Sequence, residues 1–229
     1  MGLAVVASNT GKSSAVENSH NFSITVPNTG NGMALILGAI SSTNDGPMHI
    51  DNCLFDGAPM SLLDLTSFGY VSAYSRFGLY LMNPGAGNKT VYMVFAGKSP
   101  INYGCRIDAV VYIISGVNQT TPFGTIKKGS DVETLTGITC GIDNLIIDLL
   151  ATQQDTTPGS PGVGQTSYLA DAIVGSSSWG NVASSAKQAG SESESVSWGS
   201  GAGVHEEYMA IPIIPSDIQF PAFLLGDEL

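Results

Sequence analysis

The hydrophobic and polar positions of this chain fall into short alternating or uniformly apolar runs separated by turn residues. Asn21-Phe22-Ser23-Ile24-Thr25-Val26 alternates with period two, the pattern of a strand with one buried face. Met33 to Ile40 and Ile107 to Ile114 are apolar at odd and even positions alike, which predicts strands covered on both faces. Arg76 to Met82 and Thr90 to Phe95 crowd aromatic, β-branched and long apolar residues on either side of Asn83-Pro84-Gly85-Ala86-Gly87-Asn88. That stretch reads as a central hairpin, with the other strands laid around it. Asp56-Gly57 predicts a second hairpin between 50–55 and 58–65. Further strands are predicted at 3–7, 71–74, 145–150, 182–188, 194–198 and 207–211, and 153–165 reads as a long surface loop. No segment keeps a capped 3.6-residue apolar period over ten residues, so little helix is expected.

These elements predict an all-β protein, a two-sheet antiparallel β-sandwich of jelly-roll or related topology with about ten to twelve strands. The sandwich is expected to span residues 1–212 as a single domain, followed by an extended arm at 213–229. Composition agrees: 43% of the 229 residues are hydrophobic and 12% charged, with 28 glycines and 11 prolines to supply turns, which excludes disorder. A net charge of −11 repels phosphate backbones and anionic lipid, so neither nucleic acid nor a membrane is an expected partner. Cys53, Cys105 and Cys140 are widely spaced and odd in number, which favours buried free thiols over a disulfide framework. The start of the chain lacks the basic region of a secretory signal, and the longest apolar run, Ala109 to Ile114, is far short of the roughly 18 residues of a spanning helix. A soluble product made in a host cytoplasm is the expectation.

Several stretches in order resemble β-sandwich domains of phage structural proteins and of bacterial surface proteins. They are Leu79 to Gly87, Val91 to Phe95, Val110 to Phe123, Asp143 to Leu149, Gly164-Gln165-Thr166 and Val196-Ser197-Trp198. The resemblance covers most of residues 1–212 and rests on turn and core positions, with no catalytic group among them. It implies a virion or surface-display role, and the missing signal and missing partner domain favour the phage side. The function implied is non-enzymatic: a capsid decoration, cement or head-fibre subunit at the virion surface. It would contact phage coat protein or neighbouring subunits, as a homo-oligomer.

Candidate chemistry is sparse. Gly11-Lys12-Ser13 lacks the earlier glycine of a phosphate-binding loop, because Val6 stands there, and no helix follows. His20, His49 and His205 have no ligand spacing, and Asp45, Asp51, Asp56 and Asp64 lack the spacing of a calcium loop. No catalytic residue, cofactor or metal is expected. Asn21, Asn88 and Asn118 open glycosylation-type triplets but read as turn residues. Gly226-Asp227-Glu228-Leu229 only partly matches a retention signal. Tyr168, Trp179 and Trp198 lie in polar, Gly/Ser-rich surroundings, where an aromatic ring either caps the edge of the core or stacks on a sugar. The second option carries the alternative function, a carbohydrate-binding tail or adhesin module, with 153–165 at its rim. Finally, Ile213, Ile214, Ile218, Phe220, Phe223, Leu224 and Leu225 form an apolar stretch broken by Pro215 and Pro221, which bar an ordinary helix or central strand. These seven residues are the candidate subunit or capsid contact.

Overall fold

The computed structural model describes residues 2–13, 18–42, 48–68, 74–97, 105–152, 158–172, 181–199 and 206–216. Among the described residues there are sixteen strands and no helix. In chain order they are β1 (Ala4–Lys12), β2 (Ser19–Val26), β3 (Gly32–Ser42), β4 (Met48–Phe55), β5 (Ala58–Pro59), β6 (Ser61–Phe68), β7 (Tyr74–Met82) and β8 (Gly87–Gly97). Then come β9 (Cys105–Ser115), β10 (Lys127–Ser130), β11 (Thr134–Thr139), β12 (Leu145–Thr152), β13 (Gln165–Ala172), β14 (Asn181–Gln188), β15 (Ser193–Ser197) and β16 (Glu206–Ile213). Every described pair is antiparallel and the fold class is the expected all-β one, consistent with a sandwich, but the sixteen strands exceed the ten to twelve expected and fall into four sheets where two were expected.

The strands form four sheets: sheet I in the order β2-β8-β4-β5, sheet II β1-β9-β3-β7-β6, sheet III β10-β16-β12-β14-β13 and sheet IV β11-β15. The three apolar clusters show how they stack. On β3, Met33, Leu35, Leu37 and Ala39 pack toward sheet III, while Ala34, Ile36 and Ile40 pack toward sheet I. On β9, Val110, Tyr112 and Ile114 take the first side and Ile107, Ala109, Val111 and Ile113 the second. Strand β12 repeats the split one layer on, with Leu145, Ile147, Leu149 and Ala151 facing sheet II and Ile146 and Leu150 facing sheet IV. Period-two geometry thus turns a uniformly apolar strand into two cores. The layers run I, II, III, IV. The two five-stranded sheets sit at the centre.

The stretch 76–95 is two strands and a turn, but they are not a hairpin. Strand β7 pairs with β3 and β6 in sheet II, whereas β8 pairs with β2 and β4 in sheet I. Phe77 and Leu79 of β7 meet Val91, Met93 and Phe95 of β8 face to face in one cluster, so the connection arches between layers. Burial of both apolar faces outweighs the edge-to-edge pairing that a short loop suggests. Asp56 and Gly57 do form a tight hairpin turn, with φ of 52° and 85°, the positive values that a two-residue hairpin loop needs. Its second arm, however, is only the two residues of β5 before the chain crosses to sheet II.

Strand β16 runs through Pro212 to Ile213, so the boundary expected after Pro212 falls inside the sheet. Proline is tolerated there because its N–H side faces away from β12, toward the segment where Gly124 N–H donates to Pro212 O at 2.8 Å. Beyond the strand, Ile214 N–H donates to Pro122 O at 2.9 Å and Ser216 N–H to Gly116 O at 2.7 Å, which ties residues 214–216 to the main body.

Candidate functional site: a buried carboxylate between sheets III and IV

The most concentrated polar chemistry among the described residues surrounds Asp148. It sits between Ile146 and Leu150 on β12, at the alternate positions that face sheet IV, and it is fully buried. Two donors reach its Oδ1: the Ser185 backbone N–H at 2.7 Å and Trp198 Nε1–H at 3.3 Å. Three reach Oδ2: Ser185 Oγ at 2.9 Å, Gln165 Nε2 at 2.8 Å and Tyr208 OH at 3.0 Å. Strands β13, β14 and β16 and the end of β15 therefore all converge on one carboxyl group. Burial pushes its pKa up to about 7, against the pull of the Ser185, Tyr208 and Trp198 donors, which favour the ionised form. Burial and the neighbouring Asp148 together push the Tyr208 phenol up as well.

The local chain holds the donors in place. Gln165 opens β13 after a turn closed by its own N–H on Gly162 O, and its Oε1 accepts from Ser197 N–H at 2.8 Å while its Nε2 also donates to Ser185 Oγ. Trp198 is fixed on both flanks, by its N–H on Glu133 O and by Gly162 N–H on Ser197 O, and it bridges Pro161. Its ring packs with Leu135, Ile138 and Val196 of sheet IV against Ile146, Leu150 and Tyr208 of sheet III. The carboxyl group is enclosed by five donors from the described residues, and these contacts join sheet IV to sheet III.

Two further polar links join sheets II and III. Tyr112 OH lies 2.6 Å from Ser184 Oγ, and because the Ser184 hydroxyl donates to the Asp148 backbone O, the tyrosine is the donor of that pair. At the edge, fully buried Arg76 on β7 meets Asp64 Oδ2 at 3.1 Å, Thr66 Oγ1 at 3.0 Å and Glu207 Oε2 at 3.8 Å. Lys128 of β10 also pairs with Asp64. Burial lowers the Arg76 pKa, opposed by the charges of Asp64 and Glu207. On the other side of sheet III, Glu194 accepts from Lys187 at 2.7 Å and from Gly190 N–H at 2.8 Å, contacts that pull its pKa down to about 2.

The residues singled out by sequence are dispersed. Tyr168 is half-buried on the sheet II side of sheet III, where it packs edge-on against Tyr112 at 5.2 Å between ring centroids. Trp198 is 1% exposed on the opposite side, which leaves it no face for a sugar. Because they occupy opposite faces of one sheet, these two aromatics do not form a platform; Trp179 lies outside the described residues. Ile213 is buried in the core between sheets II and III, and Ile214 is half-buried. Ile218, Phe220, Phe223, Leu224 and Leu225 lie outside the described residues. Of the four aspartates, Asp45 lies outside the described residues, Asp56 pairs with Lys89 at 2.8 Å and Asp64 with Arg76 and Lys128, and the described ones form no metal-ligand group. Asn118 Oδ1 accepts from the N–H groups of Thr120 and Thr121, the hydrogen bonding of a turn residue. Cys53 and Cys140 are buried free thiols, and burial raises Cys53 to about 12.

Comparison with known proteins adds no relative. No family model matches the chain, and no curated protein or solved structure does so significantly.

Proposed function

We propose that this chain is a non-enzymatic structural subunit that works through protein-protein contacts, as a decoration, cement or head-fibre component on a phage capsid. The observation that carries the structural part of this reading is the Asp148 cluster. The densest set of polar groups among the described residues is consumed in clamping two sheets together, and it presents nothing to a reactant. The Tyr112–Ser184 and Arg76–Glu207 links serve the same end between the central sheets. A four-layer slab braced in this way offers rigid, repeatable surfaces, and a capsid lattice rewards such surfaces by multivalency even at modest affinity per site. The virion placement rests on the sequence resemblance. The coat protein and neighbouring copies are its partners in this reading.

Cosedimentation with capsids of the phage that encodes the chain is the test. The reading requires pelleting at a fixed ratio to coat protein, saturable and insensitive to free sugars. Protein that stays in the supernatant while binding a glycan array as a monomer would replace this reading with the carbohydrate-binding one.

A further inference from the structure

The outward face of sheet I is made by alternate residues of β2 and β8. Ile24 and Val26 of β2 and Val91, Met93 and Phe95 of β8 pack into the core, so the positions between them face solvent. The register sets these outward residues opposite one another in cross-strand rungs: Asn21 and Tyr92, Ser23 and Thr90, Thr25 and Asn88. All are exposed, and none is charged. Lys89, between Asn88 and Thr90, is half-buried and held by Asp56 at 2.8 Å.

Two hollows adjoin this face. A groove of about 520 Å³ runs between β1 and β2, with Ser8, Asn9, Ser23, Thr25 and Asn88 as its polar lining. A smaller hollow of about 120 Å³ lies between the turns at 28–30 and 83–86, where Asn28, Thr29 and Asn83 are the polar side chains. Neither lining includes any of the chain's 8 basic or 19 acidic residues. A face that only meets water is served well by charges, which keep a protein soluble. A face that sheds its water against a neutral ligand is better without them, because an ion left against a neutral partner loses hydration that nothing replaces.

Local bonds hold the polar groups in place. Thr25 Oγ1 donates to Asn88 Oδ1 at 2.8 Å, which leaves Asn88 Nδ2 to donate elsewhere. Asn9 Nδ2 donates to Ser23 O at 2.5 Å and Asn9 Oδ1 accepts from Thr10 N–H at 2.9 Å, so β1 is tied to β2 across the groove and Asn9 belongs to its wall. Tyr92 adds an aromatic ring. At 39% it is the one exposed Phe, Tyr or Trp among the described side chains, and it stands between Asn21 of β2 and half-buried Leu54 of β4. An exposed ring beside amides and hydroxyls suits a sugar, whose C–H faces stack on the ring while its hydroxyls bond the polar groups. From Tyr92 to Asn88 is about 13 Å along the strand, the length of a short oligosaccharide.

We propose that the outward face of β2 and β8, from Tyr92 and Asn21 to Thr25 and Asn88, binds a neutral oligosaccharide. Tyr92 is the stacking platform, and the amides of Asn21 and Asn88 bond sugar hydroxyls. The net charge of −11 turns away sialylated and sulfated sugars, which makes the ligand a neutral one. This goes beyond the capsid-contact reading and does not rest on it, since pelleting with capsids and binding of sugars are measured separately.

The test is binding of the full chain to an array of immobilised neutral oligosaccharides with sialylated and sulfated glycans beside them. The retained glycan is then titrated into isotope-labelled protein and followed by NMR. The expected result is saturable retention of neutral glycans, with the amide signals of 21–25 and 88–92 shifting on titration. Tyr92→Ala should weaken binding roughly tenfold, and Tyr92→Phe, which keeps the ring, should retain it. Asn88→Ala, which leaves the ring in place, should weaken it as well. Retention of no neutral glycan, retention of charged glycans alone, shifts confined to residues away from β2 and β8, or equal affinity in Tyr92→Ala would each overturn the proposal.

Discussion

The indole Nε1–H of Trp198, from the end of sheet IV, donates to Oδ1 of Asp148 on β12 across 3.3 Å, and so joins the outermost layer to a central one through a single buried carboxyl group. The same oxygen takes the Ser185 backbone N–H at 2.7 Å, so the layer contact and the β12–β14 pairing share an acceptor. Asp148→Leu would strand these two donors and the Tyr208 hydroxyl in an apolar space, at about 1 to 3 kcal/mol each, while Gln165 Nε2 and Ser185 Oγ keep each other. Urea unfolding should show a loss of about 3 to 9 kcal/mol, with sheet IV detaching first. Asp148→Asn should cost less, because the Ser185 and Tyr208 hydroxyls can turn to accept from an amide.

The protonation of Asp148 should give stability a particular pH dependence. Its folded pKa is raised from 3.8 to about 7, so the native state holds a proton that the unfolded chain has already released. The resulting stabilisation is fully present below about pH 4 and is lost as pH rises through 7. Denaturation midpoints of the wild type should therefore fall between pH 5 and pH 8, and Asp148→Asn should flatten that slope. Glu194 acts the other way: lowered to about 2, it contributes above pH 4.5 and loses its contribution as pH falls toward 2.

How much of this is legible in the sequence depends on the interaction involved. Met33–Ile40, Ile107–Ile114 and Leu145–Leu150 announce themselves as doubly covered strands, because two-sided burial writes a continuous apolar run. The weakest-looking strand, Asn181–Gln188, is instead fully buried through its first six residues. Its Ser184 and Ser185 look like surface residues in sequence and are interior because Tyr112 and Asp148 bond them. β13 and the short strands β10 and β11 are invisible to periodicity, as sheet edges with few buried positions. For the site, the signal was one acidic residue inside Leu-Ile-Ile-Asp-Leu-Leu. Its partners Gln165, Ser185, Trp198 and Tyr208 lie 17 to 60 residues downstream with no common spacing, so only the fold brings them together.

The edge cluster should respond unequally to loss of its two members. Asp64→Ala leaves the buried Arg76 guanidinium with Glu207 at 3.8 Å as its nearest carboxylate, an under-compensated charge that typically costs about 3 to 5 kcal/mol. Arg76→Met removes the buried charge and leaves Asp64 paired with Lys128, so the expected cost is smaller. Equilibrium unfolding of the two variants and of the double variant gives the comparison, with the double variant nearer to Arg76→Met than to the sum.

Between sheets II and III, Tyr112→Phe should cost about 0.5 to 1.5 kcal/mol, since Ser184 keeps its own acceptor on Asp148 O. Ser184→Ala leaves the buried tyrosine hydroxyl without an acceptor and should cost more, about 1 to 3 kcal/mol. Thermal unfolding of both single variants checks the order.

The measurement that bears most directly on the clamp between sheets III and IV is hydrogen exchange of the Trp198 Nε1–H, followed by NMR and assigned with a Trp198→Phe variant. A proton sealed against Asp148 should exchange only when the two sheets part, so it should persist for hours in deuterated buffer and disappear far sooner in Asp148→Leu. An indole proton that exchanges within minutes in the wild type, or at the same rate in both proteins, would contradict the account.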